Sequence, residues 1–318
     1  MNKGNIWAKR QNNFAAKAAI MLLIFLLIFG TISANSFKMC MMTTQPTIMQ
    51  SSVFTTTLSP KDALKLEILQ LGASLDRGQA YNPTSGEYYS ERMNVARNKI
   101  DELINAGPNT KKNIEDLHGE WELVLSTVAH GIFRSSPFFI AIQDSYTRVG
   151  TPEKAALFFK LHELQTCSFG ISKVGRVAQF IDSKNNIFLS EFDTSLFSLT
   201  VIPILGWFKL FPTFGGCVIT KSNIISFDEN NKLVVEVDYT TARKVNGLQG
   251  LGEFIWKIKI PVGAVWKLLP WNNGNAALAS LTCEYVDADF RIMSDSDGEK
   301  FVYTRSVAPR AFDRENLR

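Results

Sequence analysis

The chain has 318 residues, enough for one large domain or two small ones, and its 46% hydrophobic and 20% charged residues exclude a disordered polar chain. Its formal charge of +4 is unevenly placed: Lys3, Lys9, Arg10, Lys17 and Lys38 all precede the first acid, Asp62, and taking those five from +4 leaves residues 61–318 at −1. A folded part without basic excess argues against nucleic acid as a partner, because phosphate binding needs Lys and Arg clustered on the folded surface.

Ala18 to Ala34 is an apolar run with basic residues before it and Ile32-Ser33-Ala34 at its end. It sits near the lower limit of the roughly 17–25 residues that span a bilayer. A basic flank, a short apolar core and a small-residue end predict a signal peptide over 1–34, with a retained signal anchor as the alternative. Residues 35–60 are rich in Ser and Thr, carry Lys38 and hold no acid, which is transit-peptide-like. In this order the two segments resemble the bipartite leaders of algae with complex plastids, although the aromatic expected directly after the cleavage site, Phe37, comes two residues late. The destination this implies is a plastid. Cys40 lies in the leader. Cys167, Cys217 and Cys283 are widely spaced, odd in number and without C-x-x-C, so buried thiols are expected rather than a disulfide framework.

Residues 61–110 read as a helical lead-in. Ser59-Pro60-Lys61-Asp62 is a helix start, with Ser as N-cap, Pro in the first position and an acid in the first turn. Leu64, Ile68, Leu71 and Leu75 then share one face, and Gly78 can stop the helix. After the polar link YNPTSGEYY, a second helix is predicted from about Glu91 to Ala106, with Met93, Ala96, Ile100 and Leu103 on one side and Gly107-Pro108 at its end. Neither is apolar all round, so both should pack on something else.

From Gly119 the period changes. Trp121, Leu123 and Leu125 alternate with Glu122, Val124 and Ser126, a strand with one buried face. Further strands are predicted at Gly175–Ile181, Ile187–Asp193, Gly216–Asn223, Leu233–Ala242, Phe254–Ile260, Leu281–Met293 and Phe301–Val307. The turn clusters Asp182–Asn186, Asp228–Asn231 and Asp295–Gly298 join several of them, and links this short imply antiparallel neighbours. Thr151-Pro152-Glu153 caps a helical insertion through about Gln165. About eight strands with few helices between them suggest a barrel or sandwich over 115–307, followed by a polar tail over 308–318. The segment Leu196–Cys217 carries a single charge, Lys209, and is broken by Pro203, Gly206 and Pro212; it reads as a covered loop or an apolar flap.

No phosphate loop and no nucleophile elbow occurs. The glycine-rich run Gly247–Gly252 falls between two candidate strands and reads as a turn. His118, His130 and His162 have no metal-ligand spacing, and Asp295-Ser296-Asp297-Gly298 lacks the acids of a calcium loop, so it reads as a hairpin turn. Asp287, Asp289 and Arg291 alternate as if on one strand face. Paired carboxylates can do acid–base work; the plainer reading is an outer face on which Arg291 neutralises its neighbours. No catalytic, cofactor-binding or metal-binding residue is assigned.

Several motifs together resemble the plastid-lipid-associated proteins, or fibrillins. They are the two helices; Gly119-Glu120-Trp121-Glu122-Leu123; Phe133-Arg134-Ser135-Ser136-Pro137-Phe138-Phe139; the block from Gly175-Arg176-Val177 to Ser190-Glu191-Phe192-Asp193; and Tyr285-Val286-Asp287-Ala288-Asp289-Phe290-Arg291-Ile292 followed by Gly298 and Phe301-Val302. The chain departs from that family in its longer insertion at Gly150–Gln165, in the strongly apolar Leu196–Gly215, and in Ser294-Asp295-Ser296-Asp297 where a basic Arg-Gly is usual. The resemblance implies a mainly β protein, with a lipocalin-like antiparallel barrel preceded by two short helices and interrupted by a helical insertion. It also implies non-enzymatic binding of lipids, prenylquinones or carotenoids at thylakoids or plastoglobules, with no required cofactor. Trp121 would close one end of the barrel, and Phe133, Arg134, Phe138 and Phe139 would form an apolar rim for ligand or membrane; Tyr285, Asp287, Asp289 and Arg291 are the signature positions. A scaffold for a thylakoid membrane complex and a lipid- or carotenoid-modifying enzyme on the same barrel are the alternatives.

Overall fold

The computed structural model describes residues 58–81, 86–107, 111–166, 172–196, 201–202, 208–209, 214–245, 258–268 and 274–310. The leader, Cys167, the Gly247–Gly252 run, most of the apolar segment after Leu196, most of the strand expected at Phe254–Ile260 and the end of the tail lie outside the described residues.

Two helices come first. Helix α1, Pro60–Ser74, starts as its sequence requires: Ser59 Oγ accepts from the Asp62 amide, and Pro60 takes the position where no amide hydrogen is needed. Helix α2, Glu87–Ala106, buries the predicted Met93, Ala96, Ile100 and Leu103. A single 3-10 turn, Ile114–Leu117, then leads into β1, Gly119–Ser126. Two further helices follow, α3 (Gly131–Arg134) and α4 (Pro137–Arg148), the second beginning at the helix-starting pair Ser136-Pro137, and then the expected insertion, α5 (Pro152–Thr166). The remaining strands are β2 (Ser172–Asp182), β3 (Ile187–Leu196), the small pair β4 (Val201–Ile202) and β5 (Phe208–Lys209), β6 (Phe214–Phe227), β7 (Lys232–Arg243), β8 (Leu278–Val286), β9 (Phe290–Ser294) and β10 (Lys300–Arg305). Helix α6, Val262–Lys267, lies between β7 and β8 in the chain and packs on β7.

Eight strands close a barrel in the order β1-β10-β9-β8-β7-β6-β3-β2, and β2 returns to β1. Every neighbour is antiparallel. The tight hairpins share one device. Asp182, Asp228, Asp287 and Asp295 each present a carboxylate oxygen to backbone amides two to four residues ahead, which holds the turn in place of a ladder bond. The first and last strands seal the barrel, from Trp121 opposite Arg305 to Ser126 opposite Phe301.

There are two main apolar layers. The inner one joins the barrel interior, including Trp121, Leu123, Phe188 and Phe301, to Ile132, Phe133, Phe139 and Phe159 of the inserted helices. The outer one packs α1 and α2 against Leu125, Tyr285, Phe290, Ile292 and Val302. Gly72 permits the close seating of α1, because a β-carbon there would stand 2.5 Å from the Val124 carbonyl oxygen.

Two expectations change here. Trp121, Leu123 and Leu125 do not share one face: a bulge between Leu123 and Leu125 sends Leu125 to the outer layer while Trp121 and Leu123 stay inside. The single strand expected over Leu281–Met293 is two, β8 and β9, because Asp287 folds the chain into a hairpin between them.

Candidate functional site

At the start of β1, Trp121 is fully buried and donates Nε1–H to the Leu117 carbonyl at 2.9 Å. Its position follows from the 3-10 turn, which places an unpaired carbonyl under the indole. The Arg305 guanidinium covers one part of the ring at 3.7 Å from its centroid and donates to the His118, Asp116 and Ala288 carbonyls. This arginine ties strand β10, the turn before β1 and the β8–β9 hairpin together at one point.

A second arginine approaches Trp121 inside the barrel. Arg291 is opposite Tyr303, which is opposite Leu123, so all three point inward across neighbouring strands. The Arg291 guanidinium lies 5.0 Å from the Trp121 ring centroid and 4.3 Å from that of Tyr303. Its Nη2 donates to Gln179 Oε1 at 2.5 Å. The Gln179 amide in turn donates to the Ser135 carbonyl at 2.9 Å and to the Tyr303 hydroxyl at 2.8 Å. Arg291, Gln179, Tyr303 and Ser135 are all buried. The network therefore links β2, β9 and β10 to the junction between α3 and α4. Burial pushes the Arg291 guanidinium down to about 10 and the Tyr303 hydroxyl up to about 12, so at neutral pH the first is a cation and the second keeps its proton. Among the described residues, Arg291 Nε and Nη1 and Ser190 Oγ are buried without a hydrogen-bond partner, and Ser190 is the cross-strand neighbour of Gln179.

The expected rim residues lie elsewhere than on a surface. Phe133 is 7% and Phe139 6% exposed, Phe138 is partly buried, and Phe133 stacks on Phe192 of β3 at 5.8 Å. The motif is a helix pair set into the barrel core rather than an aromatic loop. Gly131 makes the turn into it possible, since a β-carbon there would fall 1.8 Å from Ser126 Oγ. Arg134 donates to Gln143 at 2.6 Å and lies 3.6 Å from the buried Asp295 carboxylate, so it fastens α3 and α4 to the β9–β10 turn. Beneath these rings His130 and His162 meet at 2.6 Å, and burial pushes both imidazoles down to about 3, with their mutual repulsion adding to the effect at His130.

The signature positions separate. Asp287 pairs with Lys65 at 2.6 Å and accepts from the Tyr285 hydroxyl at 2.5 Å, docking α1 on the β8–β9 hairpin. Asp289 is exposed in that hairpin and its amide bonds to Asp287. Arg291 is inside and does not neutralise either acid; the hairpin breaks the alternation that put all three on one face. Gln179, Tyr303 and Arg305 are site residues that the sequence reading passed over. The available signal was a polar side chain at an inward position of Val177-Ala178-Gln179-Phe180-Ile181, and the Tyr-x-Arg alternation at the chain's last strand.

Among the described residues, no three His, Cys, Asp or Glu side chains converge in a way that could hold a metal, and no helix is long and apolar enough to cross a membrane. Cys217 and Cys283 are free, buried thiols, and burial raises the pKa of both. No family model, no curated protein and no solved structure matches this chain.

Proposed function

We propose that the protein is a plastid lipid-binding barrel of the fibrillin kind, taking a lipid, prenylquinone or carotenoid at thylakoid or plastoglobule membranes, and acting by binding rather than catalysis. The observation that carries this reading is the closed eight-stranded barrel, whose apolar interior is continuous with the ring-bearing side of α3, α4 and α5. A barrel of this strand number has room for side chains or one small ligand, and such sites are largely apolar with few polar groups. The inner polar groups, Arg291 and Tyr303, both hold their protons at neutral pH, which suits fixed recognition better than proton transfer. The composition of the first 60 residues supports delivery to a plastid.

Mass spectrometry of lipids that travel with the protein isolated from its own cells tests the reading. One lipid class enriched in near-equimolar amount is the expected result; a lipid profile equal to that of a mock purification sinks it. Exposure of Leu157 (59%) and Leu161 (51%), one turn apart on α5, favours a second reading, a scaffold that holds a thylakoid membrane complex. Recovery of a membrane complex with the protein, lost on changing both leucines to Ser, is the result that would prefer it.

A further inference from the structure

Arg291 is a charge that the described fold does not compensate. It is fully buried, and no carboxylate is among the groups that shift it; only Tyr303, Cys283 and Arg305 act on it besides burial. Buried guanidinium groups are normally paired, because removing the charge from water costs several kcal/mol. Gln179 supplies one acceptor for five N–H donors. Nε and Nη1 have no partner among the described residues. Water could satisfy those hydrogens, but it would not balance the charge.

The geometry limits what does. The guanidinium carbon lies over the Trp121 and Tyr303 rings, 5.0 and 4.3 Å from their centroids, and the hydrogens on Nε and Nη1 are the ones left over among the described residues. Whichever hydrogen of Nη2 Gln179 takes, the other still forms a two-donor fork with Nε or with Nη1. A fork in the plane of a guanidinium matches the two oxygens of a carboxylate. A phosphate dianion would call for a second cation, and Arg305 is engaged with backbone carbonyls beyond Trp121.

Resting on the lipid-binding reading above, we propose that Arg291, oriented by Gln179 and lying over the Trp121 and Tyr303 rings, is the head-group subsite for a long-chain carboxylate bound in the barrel. The acyl chain runs from Arg291 toward the apolar surface shared with α3 and α4. Ser190, beside Gln179 on the next strand, is a further donor on the same inner row.

The test compares oleate, its methyl ester and oleyl alcohol, each below the concentration at which it forms micelles, as displacers of the neutral dye Nile red from the purified full-length chain. Oleate is expected to bind at least tenfold more tightly than the ester or the alcohol. Arg291→Met should remove that preference, and without ligand its thermal midpoint should equal or exceed that of the parent, as for an unpaired buried charge replaced by an apolar chain. Equal affinity of the parent for acid and ester overturns the subsite while leaving lipid binding intact, and this comparison needs no variant, so it decides even where Arg291→Met does not fold. A preference that survives Arg291→Met also overturns it, as does a lowered midpoint with an unchanged acid-to-ester ratio, which would make Arg291 a structural residue. If neither the dye nor any of the three compounds binds, the subsite and the lipid-binding reading fall together.

Discussion

Trp121 shows how one side chain anchors the start of a strand. Its indole is fully buried, bonded to the Leu117 carbonyl and contacted by guanidinium groups from β9 and β10. Trp121→Ala should cost about 3–5 kcal/mol in a denaturant titration, as for other large aromatic truncations; a loss below about 1 kcal/mol would place the ring outside the cooperative core. Arg305 lies over the same ring and bonds to three backbone carbonyls. Lysine keeps the charge at that position but lacks the planar fork that reaches three carbonyls, so Arg305→Lys should destabilise by about 1–2 kcal/mol. An unchanged urea midpoint would show that stacking and carbonyl bonding there contribute nothing.

Helices α3 and α4 are where element-level burial alters the functional picture. A rim residue can be made polar at small cost to stability, whereas a core ring cannot. Phe133 and Phe139 contact each other at 5.9 Å and belong to the inner core. Phe139→Ser should therefore lower stability by about 3 kcal/mol or more, since it removes a large apolar group and brings in an unpaired hydroxyl. A thermal midpoint that hardly moves would restore these rings to a surface role. The outer layer depends on close approach instead. Gly72→Ala adds helix propensity worth roughly 1 kcal/mol but sets a β-carbon 2.5 Å from a backbone oxygen that cannot move aside. The net effect should be a loss of about 1–3 kcal/mol, read as a lower urea midpoint, and a gain would show that α1 seats less tightly on β1.

At the scale of the whole molecule the buried histidine pair makes the fold sensitive to acid. Burial holds His130 and His162 near 3, against the usual 6.5. Between those values the unfolded chain binds protons that the folded chain does not, so stability is full above about pH 6.5 and falls as the pH drops toward about 3. Each histidine contributes up to about 1.4 kcal/mol per pH unit in that window. Equilibrium unfolding measured from pH 7 to pH 4 should show this slope, and it should flatten when both histidines are replaced. A parent protein equally stable at pH 7 and pH 4 would mean that neither imidazole is held neutral by burial.

The sequence by itself determined what depends on neighbours in the chain. The cap at Ser59, the buried stripe of α2, the turn clusters at Asp182, Asp228 and Asp295 and the alternation in the strands are signals of two to seven residues, and α1, α2 and the antiparallel pairing of successive strands follow from them, whereas closure into a barrel rather than a sandwich does not. Which side of the sheet a residue faces was legible only while the alternation ran unbroken. A one-residue change of register turns every later side chain over, and bulges near Val124 and Glu284 together with the hairpin at Asp287 do this where the candidate site is built. Leu125 and Tyr285 went to the outer layer for that reason, and Arg291 went inside, away from Asp287 and Asp289. The burial of Phe133 and Phe139 was equally beyond local reading, because the rings that surround them come from β3 and α5, tens of residues away in the chain. Only the closed barrel brings Trp121, Gln179, Arg291 and Tyr303 together, since a contact among four strands has no spacing in the sequence that could announce it.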